Sequence, residues 1–529
     1  MLEAIAFLCG AAVMALEMTG SRILAPHLGS SVLVWTALIG VIMACLSAGY
    51  WLGGKMADKD PSHKKLAVII LGAAFCVLAI AIFQQDMLSN ISTMIERPEI
   101  AAIAAATVLF GPASLLLGMV SPYIVRVALH SRNIPVEKSG AVIGRFSAMS
   151  AVGSILGTFA GGYYLIAWVG SRQTLFMLAT SLMIIAFIAL ISNKVTLRRN
   201  KILAIFPIIG LALGVYGAYL NSADEQKALN SGNFITDTRY SSLLIQEGYD
   251  ENRQHLRLLS TPPELTQSAM RVDAPTELVL DYTRAYALAW QMRPQANKLL
   301  MMGGAGYSIP KYLLKTREKI NLDVVEIDPG MTELAKKHFA LQDDARMQIF
   351  HEDARTYLNR YAKTGKAEYD IIMGDTFSSV YNIPFQLSTV ECAQRVYDSL
   401  KDDGVYIGNV LSAVTGPKSQ LLSSIKASFD EVFDSVHIFP LDIKDPAKVQ
   451  NVMLVALKEG STIPAVKELE AQGMNAVLSK TSPQAAADEF ATAYKMLNNE
   501  WKVFLVGAIP PLYDDYAPVE RYALPLTQK

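Results

Sequence analysis

The chain has 529 residues, and its 47 basic and 48 acidic side chains leave a net charge of −1. This balance gives no overall field that would attract nucleic acid, and no basic run interleaved with aromatic residues offers a groove for a phosphate backbone. The four cysteines form no C-x-x-C pair, so the sequence predicts no zinc site, redox couple or disulfide framework, and we expect no metal. The hydrophobic fraction of 52% exceeds what a soluble protein of this size usually has.

The excess of apolar residues is concentrated before residue 221. About 20 consecutive apolar residues are needed to cross the hydrocarbon core of a bilayer, and seven segments approach that length. Because similar segments follow the first one directly, a cleaved signal peptide is a poor explanation for it. Residues 1–221 are therefore predicted to be a multi-pass α-helical membrane domain in the cell (inner) membrane, in contact with the lipid bilayer. The seven predicted spans are 3–21, 32–54, 66–85, 101–125, 143–168, 173–192 and 202–220.

The short loops between these spans differ in basic charge. Lys and Arg concentrate after the second, fourth and sixth spans, and such loops are usually cytoplasmic. This places the N-terminus inside, and seven full spans would then place the following soluble domain outside the cytoplasm. Pro207 interrupts the last span, so a segment that does not fully cross is the alternative. The basic residues are Lys55, Lys59, Lys64, Lys65, Arg126, Arg132, Lys138, Lys194, Arg198, Arg199 and Lys201.

One acidic residue, Glu17, lies well inside a predicted span. An ionisable group at that depth is costly and is by default a candidate functional site. The alternative is a structural ion pair with Arg22 or Arg145 that fixes the register of the helices. Arg145 is expected near a helix end, where its long side chain can reach the interface.

Beyond residue 221 the pattern changes to that of a water-soluble domain. Two strand candidates at 241–248 and 254–260 flank the polar turn YDENR and predict a small β-hairpin module over 222–296. From Lys298 onward, apolar strands alternate with segments of helical length, which is typical of a mostly parallel sheet covered on both faces. We therefore predict a Rossmann-like α/β domain over 297–529. Its strands are expected at KLLMMGG, LDVVEID, MQIF, YDIIMGD, GVYIGNV, SVHIF and NVMLVAL.

A glycine-rich loop, GGAGYS at 303–308, follows the first of these strands and precedes the helical stretch IPKYLLKTRE. Glycines permit a sharp turn and allow a ligand to approach the backbone. About 20 residues later Glu326 ends the second strand, where a carboxylate can accept hydrogen bonds from ribose hydroxyls. The loop and the acid together predict a nucleoside site, with a purely structural strand–helix turn as the alternative.

Two aspartates follow later strands of the same predicted sheet. Asp353 could accept a hydrogen bond from the exocyclic amine of adenine, or it could cap the next helix. Asp375 ends the fourth strand in YDIIMGDTFSS, at the carboxyl edge where open α/β sheets bind ligands. Asp375 is therefore the candidate for chemistry, and both interpretations of Asp353 stay open.

The order GGAG, VVEID, HEDAR and YDIIMGD, followed by YDDYAPVE at 513–520, resembles the spermidine synthase (polyamine aminopropyltransferase) family. It resembles in particular the membrane-fused members with an N-terminal transporter-like helical domain. The resemblance implies a methyltransferase-type Rossmann fold after a small β-module, and a site for decarboxylated S-adenosylmethionine. By motif, it assigns nucleoside-binding roles to Gly303, Gly304, Gly306, Glu326 and Asp353, and the catalytic position to Asp375.

Three positions depart from the pattern of that family. Gly306 stands where the glycine loop normally carries an Asp that holds an amine, and Ser378 replaces a carboxylate three residues after Asp375. Tyr282 is followed by Thr283, where the family has a tyrosine–glutamine pair. Because buried ammonium groups need carboxylate partners, the sequence supports nucleoside binding more than it supports spermidine synthesis.

The resulting prediction is a membrane-anchored transferase in which Asp375 orients an amine, or another small-molecule nucleophile, and accepts its proton. One alternative is an S-adenosylmethionine-dependent methyltransferase or other sulfonium-cleaving enzyme. Another is a non-catalytic, nucleoside-sensing or transport-associated membrane protein, and a homo-oligomer is left open. Because S-adenosyl nucleosides are made in the cytosol, the resemblance favours a cytoplasmic soluble domain, which conflicts with seven full spans.

Overall fold

The protein folds into two compact units, Met1–Leu243 and Leu244–Lys529. The computed structural model describes most of both units and scattered positions between 205 and 219. The other described ranges are 1–28, 32–95, 97–131, 139–191, 233–238, 240–261, 266–376, 384–463, 491–493, 495–500 and 509–527.

The first unit is dominated by long apolar helices. Six helices in its described part are long and apolar enough to cross a membrane, which confirms long apolar helices at the first six predicted spans. The seventh, 202–220, lies largely outside the described residues. A π-helical turn, Gly161–Leu165, follows α5. The helices are α1 (Leu2–Leu28), α2 (Val32–Lys59), α3 (His63–Met94), α4 (Pro98–Ser131), α5 (Ser139–Ala160), α6 (Ile166–Val169) and α7 (Ser171–Ile191).

Glycines set the close packing of these helices. A Cβ atom on Gly153 of α5 would overlap the carbonyl oxygen of Phe7 in α1, and one on Gly49 of α2 would overlap the carbonyl oxygen of Leu115 in α4. Small residues allow helix backbones to approach closely in membranes, where apolar side chains gain little from leaving lipid. The helix pairs α1/α5 and α2/α4 can therefore pack this closely because positions 153 and 49 have no side chain.

The ion pair of Arg145 differs from the expected structural pair. Arg145 lies 3.6 Å from a carboxylate oxygen of Glu3, close to the N-terminus of α1, rather than beside Glu17. The guanidinium is largely exposed, as expected for a residue near a helix end. The alternative in which Arg145 pairs with Glu17 is therefore wrong, because α5 packs along α1 in a register that brings Arg145 to Glu3.

A four-stranded sheet contains the predicted hairpin. Its strands are ordered β1-β2-β3-β4, and β2 pairs with β3 in antiparallel register across the predicted turn. Strand β4 adds to β3 in the same sense, and two short helices then lead into the α/β core. The elements are β1 (Phe234–Asp237), β2 (Ser242–Tyr249), β3 (His255–Ser260), β4 (Thr266–Arg271), α8 (Asp281–Ala285) and α9 (Ala287–Met292).

The α/β core is a seven-stranded sheet in the order β10-β11-β9-β8-β5-β6-β7. Strands β5 to β9 are parallel, and β11 is antiparallel to both of its neighbours. All seven predicted strands are present. They are β5 (Lys298–Met302), β6 (Asn321–Val325), β7 (Met347–Phe350), β8 (Tyr369–Gly374), β9 (Leu400–Ser412), β10 (Ser435–Pro440) and β11 (Gln450–Leu457).

Helices connect these strands and cover the sheet, as the apolar character of the strands requires. Each residue of β8 is buried, which is typical of a parallel strand with both faces covered. The predicted Rossmann-like, methyltransferase-type fold is thereby confirmed. The helices are α10 (Ser308–Thr316), α11 (Pro329–His338), α12 (Ala354–Ala362), α13 (Val390–Ser399), α14 (Gln420–Asp430) and α15 (Val519–Ala523).

Candidate active site

The candidate site lies where the strand order of the large sheet reverses. Strand β5 pairs with β6 on one side and with β8 on the other, so the loops after β5 and β8 leave the sheet in opposite directions and open a crevice between them. The backbone N–H of Asp375 donates to the carbonyl oxygen of Met302 at 2.9 Å. The topology therefore places the glycine loop beside the candidate catalytic aspartate, although 72 residues separate Gly303 from Asp375 in the sequence.

The backbone conformation and the packing at position 303 require a glycine. Its φ angle is +95°, in the region that side chains with a Cβ rarely adopt. A Cβ atom there would overlap the carbonyl oxygen of Asp375. Gly303 thus permits the direct contact between the two loops, whether or not a ligand is bound.

The rest of the glycine loop is also tightly packed. Ala305 and Tyr307 have positive φ angles of 45° and 54°, which are uncommon for residues other than glycine. The buried hydroxyl of Tyr307 lies 2.7 Å from the hydroxyl of Thr332, and the Tyr307 ring fills the space that a Cβ on Gly304 would need. These contacts hold the loop in one conformation, with its backbone close to the carboxyl ends of β5 and β6.

Glu326 binds the glycine loop. Its carboxylate accepts hydrogen bonds from the backbone N–H groups of Gly304 at 2.8 Å, Ala305 at 3.2 Å and Asp328 at 3.0 Å. Burial raises the pKa of Glu326, and the three N–H groups oppose that rise. A carboxylate has about four acceptor positions, so about one is left for a ribose hydroxyl. The predicted ribose contact stays a prediction, and the sequence did not reveal the support that Glu326 gives to the loop.

Asp353 caps a helix. One carboxylate oxygen accepts from the backbone N–H of Thr356 at 3.0 Å, which is the N-cap interaction at the start of α12. The other accepts from the side-chain amide of Gln386 at 3.2 Å. The structure thus has the capping interaction that the sequence left open, while the adenine contact of Asp353 stays a prediction.

Asp375 is held by two donors. The Tyr282 hydroxyl lies 3.3 Å from one of its carboxylate oxygens, and the amide nitrogen of Asn409 donates to the other at 3.4 Å. A small part of Asp375 is open to the crevice, yet the surrounding protein desolvates the carboxyl group. This burial raises the pKa of Asp375 to about 6, against the opposing effects of Asn409 and Tyr282. Asp375 therefore exchanges protons closer to neutral pH than an ordinary aspartate does.

Tyr282 links β4 to this aspartate. Its hydroxyl also lies 3.0 Å from the carbonyl oxygen of Gln267 in β4, and its single proton can serve one acceptor at a time. Thr283, which stands in place of the family's glutamine, is buried and donates to the carbonyl oxygen of Leu280. Tyr282 thus reaches Asp375, whereas Thr283 is buried within helix α8.

An uncharged polar side chain lies against Gly306. A Cβ atom on Gly306 would overlap the Ser268 hydroxyl of β4, and that hydroxyl lies 3.0 Å from the Ser308 hydroxyl. Ser268 therefore fills the volume in which an acidic side chain at position 306 would start. Ser378 lies outside the described residues, and within the described ranges no three His, Cys, Asp or Glu side chains cluster as metal ligands.

Two site residues were not identified from the sequence. Asn409 is the one amide side chain in the otherwise apolar strand segment GVYIGNVL, and that interruption was a usable signal. Ser268 gave no such signal, because its place beside Gly306 depends on how β4 packs against the glycine loop.

The sequence that builds this site is similar to those of known proteins. The family model described as the spermine/spermidine synthase domain matches residues 286–461. Over 220 residues the chain is 27% identical to the polyamine aminopropyltransferase of Vibrio vulnificus (strain CMCP6), which corresponds to 42% of this chain and 69% of that protein. Over 138 residues it is 32% identical to the eEF1A lysine and N-terminal methyltransferase of Homo sapiens, which is 25% of this chain and 20% of that relative.

Solved structures give a similar comparison. A probable spermidine synthase from Corynebacterium glutamicum ATCC 13032 superposes with a TM-score of 0.41 and 19% sequence identity, over 53% of this chain and 96% of that chain. The family match contains the glycine loop, Glu326, Asp353, Asp375 and Asn409. Residues 286–461 of this chain are therefore a spermine/spermidine synthase domain, similar to that of a relative named polyamine aminopropyltransferase.

Proposed function

We propose that the protein is a membrane-anchored aminopropyltransferase that uses decarboxylated S-adenosylmethionine and a small-molecule amine. The observation that carries this proposal is Asp375, a desolvated carboxylate held by Tyr282 and Asn409 directly beside the glycine loop. A nucleoside bound along Gly303, Gly304 and Gly306 would bring its sulfonium group to this side of the crevice. The family match and the Vibrio relative support the same reaction type.

The proposed transfer reaction needs one base, which is Asp375. The neutral amine attacks the aminopropyl carbon next to the sulfonium, a C–N bond forms, and the C–S bond breaks with its electron pair going to sulfur. Methylthioadenosine leaves, and Asp375 takes the proton that the new C–N bond makes acidic. Much of the acceleration would come from the alignment of nucleophile and leaving group, because the sulfonium is already a good leaving group.

The apolar helices of the first unit support membrane attachment. Six helices in the described part of that unit are long and apolar enough to cross a bilayer, and they would keep the transferase domain at the inner membrane. A cytoplasmic domain would have direct access to S-adenosyl nucleosides, which supports that side. Seven full spans with the N-terminus inside would oppose it, so a compartment-sensitive reporter fused to the C-terminus is the measurement that assigns the side.

A second candidate is a methyltransferase that uses S-adenosylmethionine itself. The observation in its favour is at Gly306, where the uncharged Ser268 hydroxyl fills the space in which an acidic side chain would start. An acid there would repel the carboxylate of S-adenosylmethionine, and its absence removes that repulsion. The human relative named as a methyltransferase supports the same alternative.

The two functions are separated by their products. The purified full-length protein is incubated with each donor and a panel of primary amines, and the products are identified by mass spectrometry. Aminopropyl transfer yields methylthioadenosine and an amine heavier by one aminopropyl group, whereas methyl transfer yields S-adenosylhomocysteine. We expect the first pair of products, dependent on Asp375. Formation of S-adenosylhomocysteine alone would establish the second candidate. If neither product forms, the protein is a non-catalytic nucleoside-binding protein.

A further inference from the structure

We propose that Asp514 is a positioning residue for the adenine end of the crevice, the end at which Asp353 is predicted to contact the base. It acts through Arg355 and Gln386, which hold the Asp353 carboxylate in one orientation. This inference rests on the proposed function, and it gives a role to the motif YDDYAPVE at 513–520, which lies outside the residues that the family model matches.

A tight turn presents Asp514 to the rest of the domain. The backbone N–H groups of Tyr513 and Tyr516 each donate to the carbonyl oxygen of the other residue, at 3.2 and 3.0 Å. Leu512, just before the turn, is buried. Its N–H donates to a serine hydroxyl of α14 at 2.8 Å, and its carbonyl oxygen accepts from the first N–H group of α13 at 2.8 Å. The turn is therefore anchored, and its first aspartate has a defined position.

Asp514 joins two connections at the carboxyl edge of the large sheet. One of its carboxylate oxygens pairs with the Arg355 guanidinium at 2.6 Å, and the other accepts from the Thr389 hydroxyl at 2.7 Å. Arg355 lies in α12, which follows β7, whereas Thr389 is the N-cap of α13, which follows β8. The carboxylate of Asp514 thus ties together the segments that leave two different strands.

Arg355 connects Asp514 to the adenine end. Its guanidinium also donates to the backbone carbonyl oxygen of Gln386 at 3.0 Å, and the side-chain amide of Gln386 donates to Asp353 at 3.2 Å. The Arg355 side chain is only 12% exposed, so the loss of its carboxylate partner would leave a largely buried cation without compensation. Without the Asp514 charge, we therefore expect Arg355 to turn away and Gln386 to lose its support.

The contact with Gln386 fixes the orientation of the Asp353 carboxylate. The N-cap interaction engages one oxygen through the N–H of Thr356, and Gln386 engages the other. A carboxylate has about four acceptor positions, so about two remain, and a fixed orientation would direct one of them at the exocyclic amine of adenine. If Gln386 is released, a single contact holds the carboxylate. The preference for adenine over a base with an oxygen at the same position should then fall.

The test measures base selectivity by isothermal titration. Methylthioadenosine and methylthioinosine, in which an oxygen replaces the exocyclic amine, are titrated into the full-length wild type, Asp514→Asn and the control Asp515→Asn. Asp515 lies in the same turn and is exposed, and its side chain has no ion pair within the described part of the chain. We expect Asp514→Asn to weaken methylthioadenosine binding about 3- to 10-fold, the scale of a partly exposed charged contact, and to lower the preference for adenine by a similar factor. Asp515→Asn should change neither.

A second variant shows whether Asp514 acts through Arg355, and it covers a folding defect in the first. Lysine keeps the charge but lacks the planar fork that binds several acceptors at once, so Arg355→Lys should cause a similar loss. If the two residues act in one chain of contacts, the double variant should lose about as much as the larger single effect. Losses that multiply, or a lower melting temperature with an unchanged base preference, would overturn the proposal. Equal losses in Asp514→Asn and Asp515→Asn would also overturn it.

Failure of the proposed function has a different signature. In turnover, Asp514→Asn should raise the KM for decarboxylated S-adenosylmethionine more than it lowers kcat, because Asp514 contacts no reacting group. A wild type that binds methylthioadenosine but transfers no aminopropyl group would contradict the proposed function, and the binding comparison would still decide the role of Asp514. No binding of methylthioadenosine by the wild type would overturn both.

Discussion

The two ends of the candidate site are built from different parts of the chain. At the nucleoside end the groups are backbone atoms of the glycine loop, including the N–H groups bound by Glu326. The packing of the loop fixes their positions. At the acceptor end they are the side chains of Asp375 and Asn409. The difference teaches that the nucleoside end is constrained by folding, whereas the acceptor end can change its chemistry without changing the fold.

This contrast explains where the chain departs from the spermidine synthase pattern. Gly306 and Ser268 leave an acidic side chain out of the glycine loop, and the loop conformation still forms around them. A polyamine carries several ammonium groups, and each one buried without a carboxylate is costly. We therefore expect amines with one cationic group to be better acceptors than diamines such as putrescine.

The largest expected effect is the loss of turnover on mutating Asp375, at the acceptor end. Asp375→Asn should lower turnover about 10²- to 10⁴-fold, the usual contribution of a positioned acid–base group, while nucleoside affinity is largely kept. The matched control is Asp370→Asn on the same strand, because Asp370 lies at the opposite edge and pairs with Arg293 and Lys401. The control should lose stability rather than rate per folded molecule. Full specific activity in Asp375→Asn would remove Asp375 from the chemistry.

The next prediction tests whether folding fixes the nucleoside end. Gly303→Ala should destabilise the protein by about 3 kcal/mol or more, since a left-handed backbone is strained and the new methyl group meets the backbone of Asp375. Gly365→Ala is the matched control, because its φ is also positive, at +66°, but nothing lies within 4 Å of the new Cβ. It should cost about 1 kcal/mol. Thermal unfolding of both variants decides, and equal melting temperatures would contradict the packing argument.

A pH dependence follows from the raised pKa of Asp375. The folded state holds the proton of Asp375 up to pH about 6, against an ordinary value of 3.8, so this stabilising effect is present below pH 4 and is lost as pH rises through 6. Wild-type stability should fall by up to about 3 kcal/mol relative to Asp375→Asn between pH 4 and pH 7. Turnover should rise across the same interval, because the carboxylate is the base. Parallel pH profiles for the two proteins would contradict the assignment.

Most of the fold could be predicted from the sequence. The buried parallel strands appear as continuous apolar runs, and the spans appear as segments long enough to cross a bilayer, because burial on all sides leaves a strong compositional signal. Helix α3 nevertheless extends from His63 to Met94, beyond the predicted 66–85, with Ser62 as its N-cap. Polar residues near the interface continue the helix, and an apolar count does not detect them.

The site was less predictable because its contacts are long-range. The spacing of the glycine loop and Glu326 predicted one shared nucleoside site, but it did not predict that Glu326 binds the loop N–H groups. Asn409 reaches Asp375 only through the pairing of β8 with β9. Such contacts depend on strand order and register, which local sequence patterns do not specify.

The central claim is that the crevice between the loops after β5 and β8 is an S-adenosyl nucleoside site. Isothermal titration of methylthioadenosine into the full-length wild type, Glu326→Gln and Asp375→Asn tests it most directly. We expect saturable binding by the wild type, a loss of about 1.5–3 kcal/mol in Glu326→Gln because a charged hydrogen bond is weakened, and nearly unchanged affinity in Asp375→Asn. No binding by the wild type, or equal affinity in wild type and Glu326→Gln, would contradict the account.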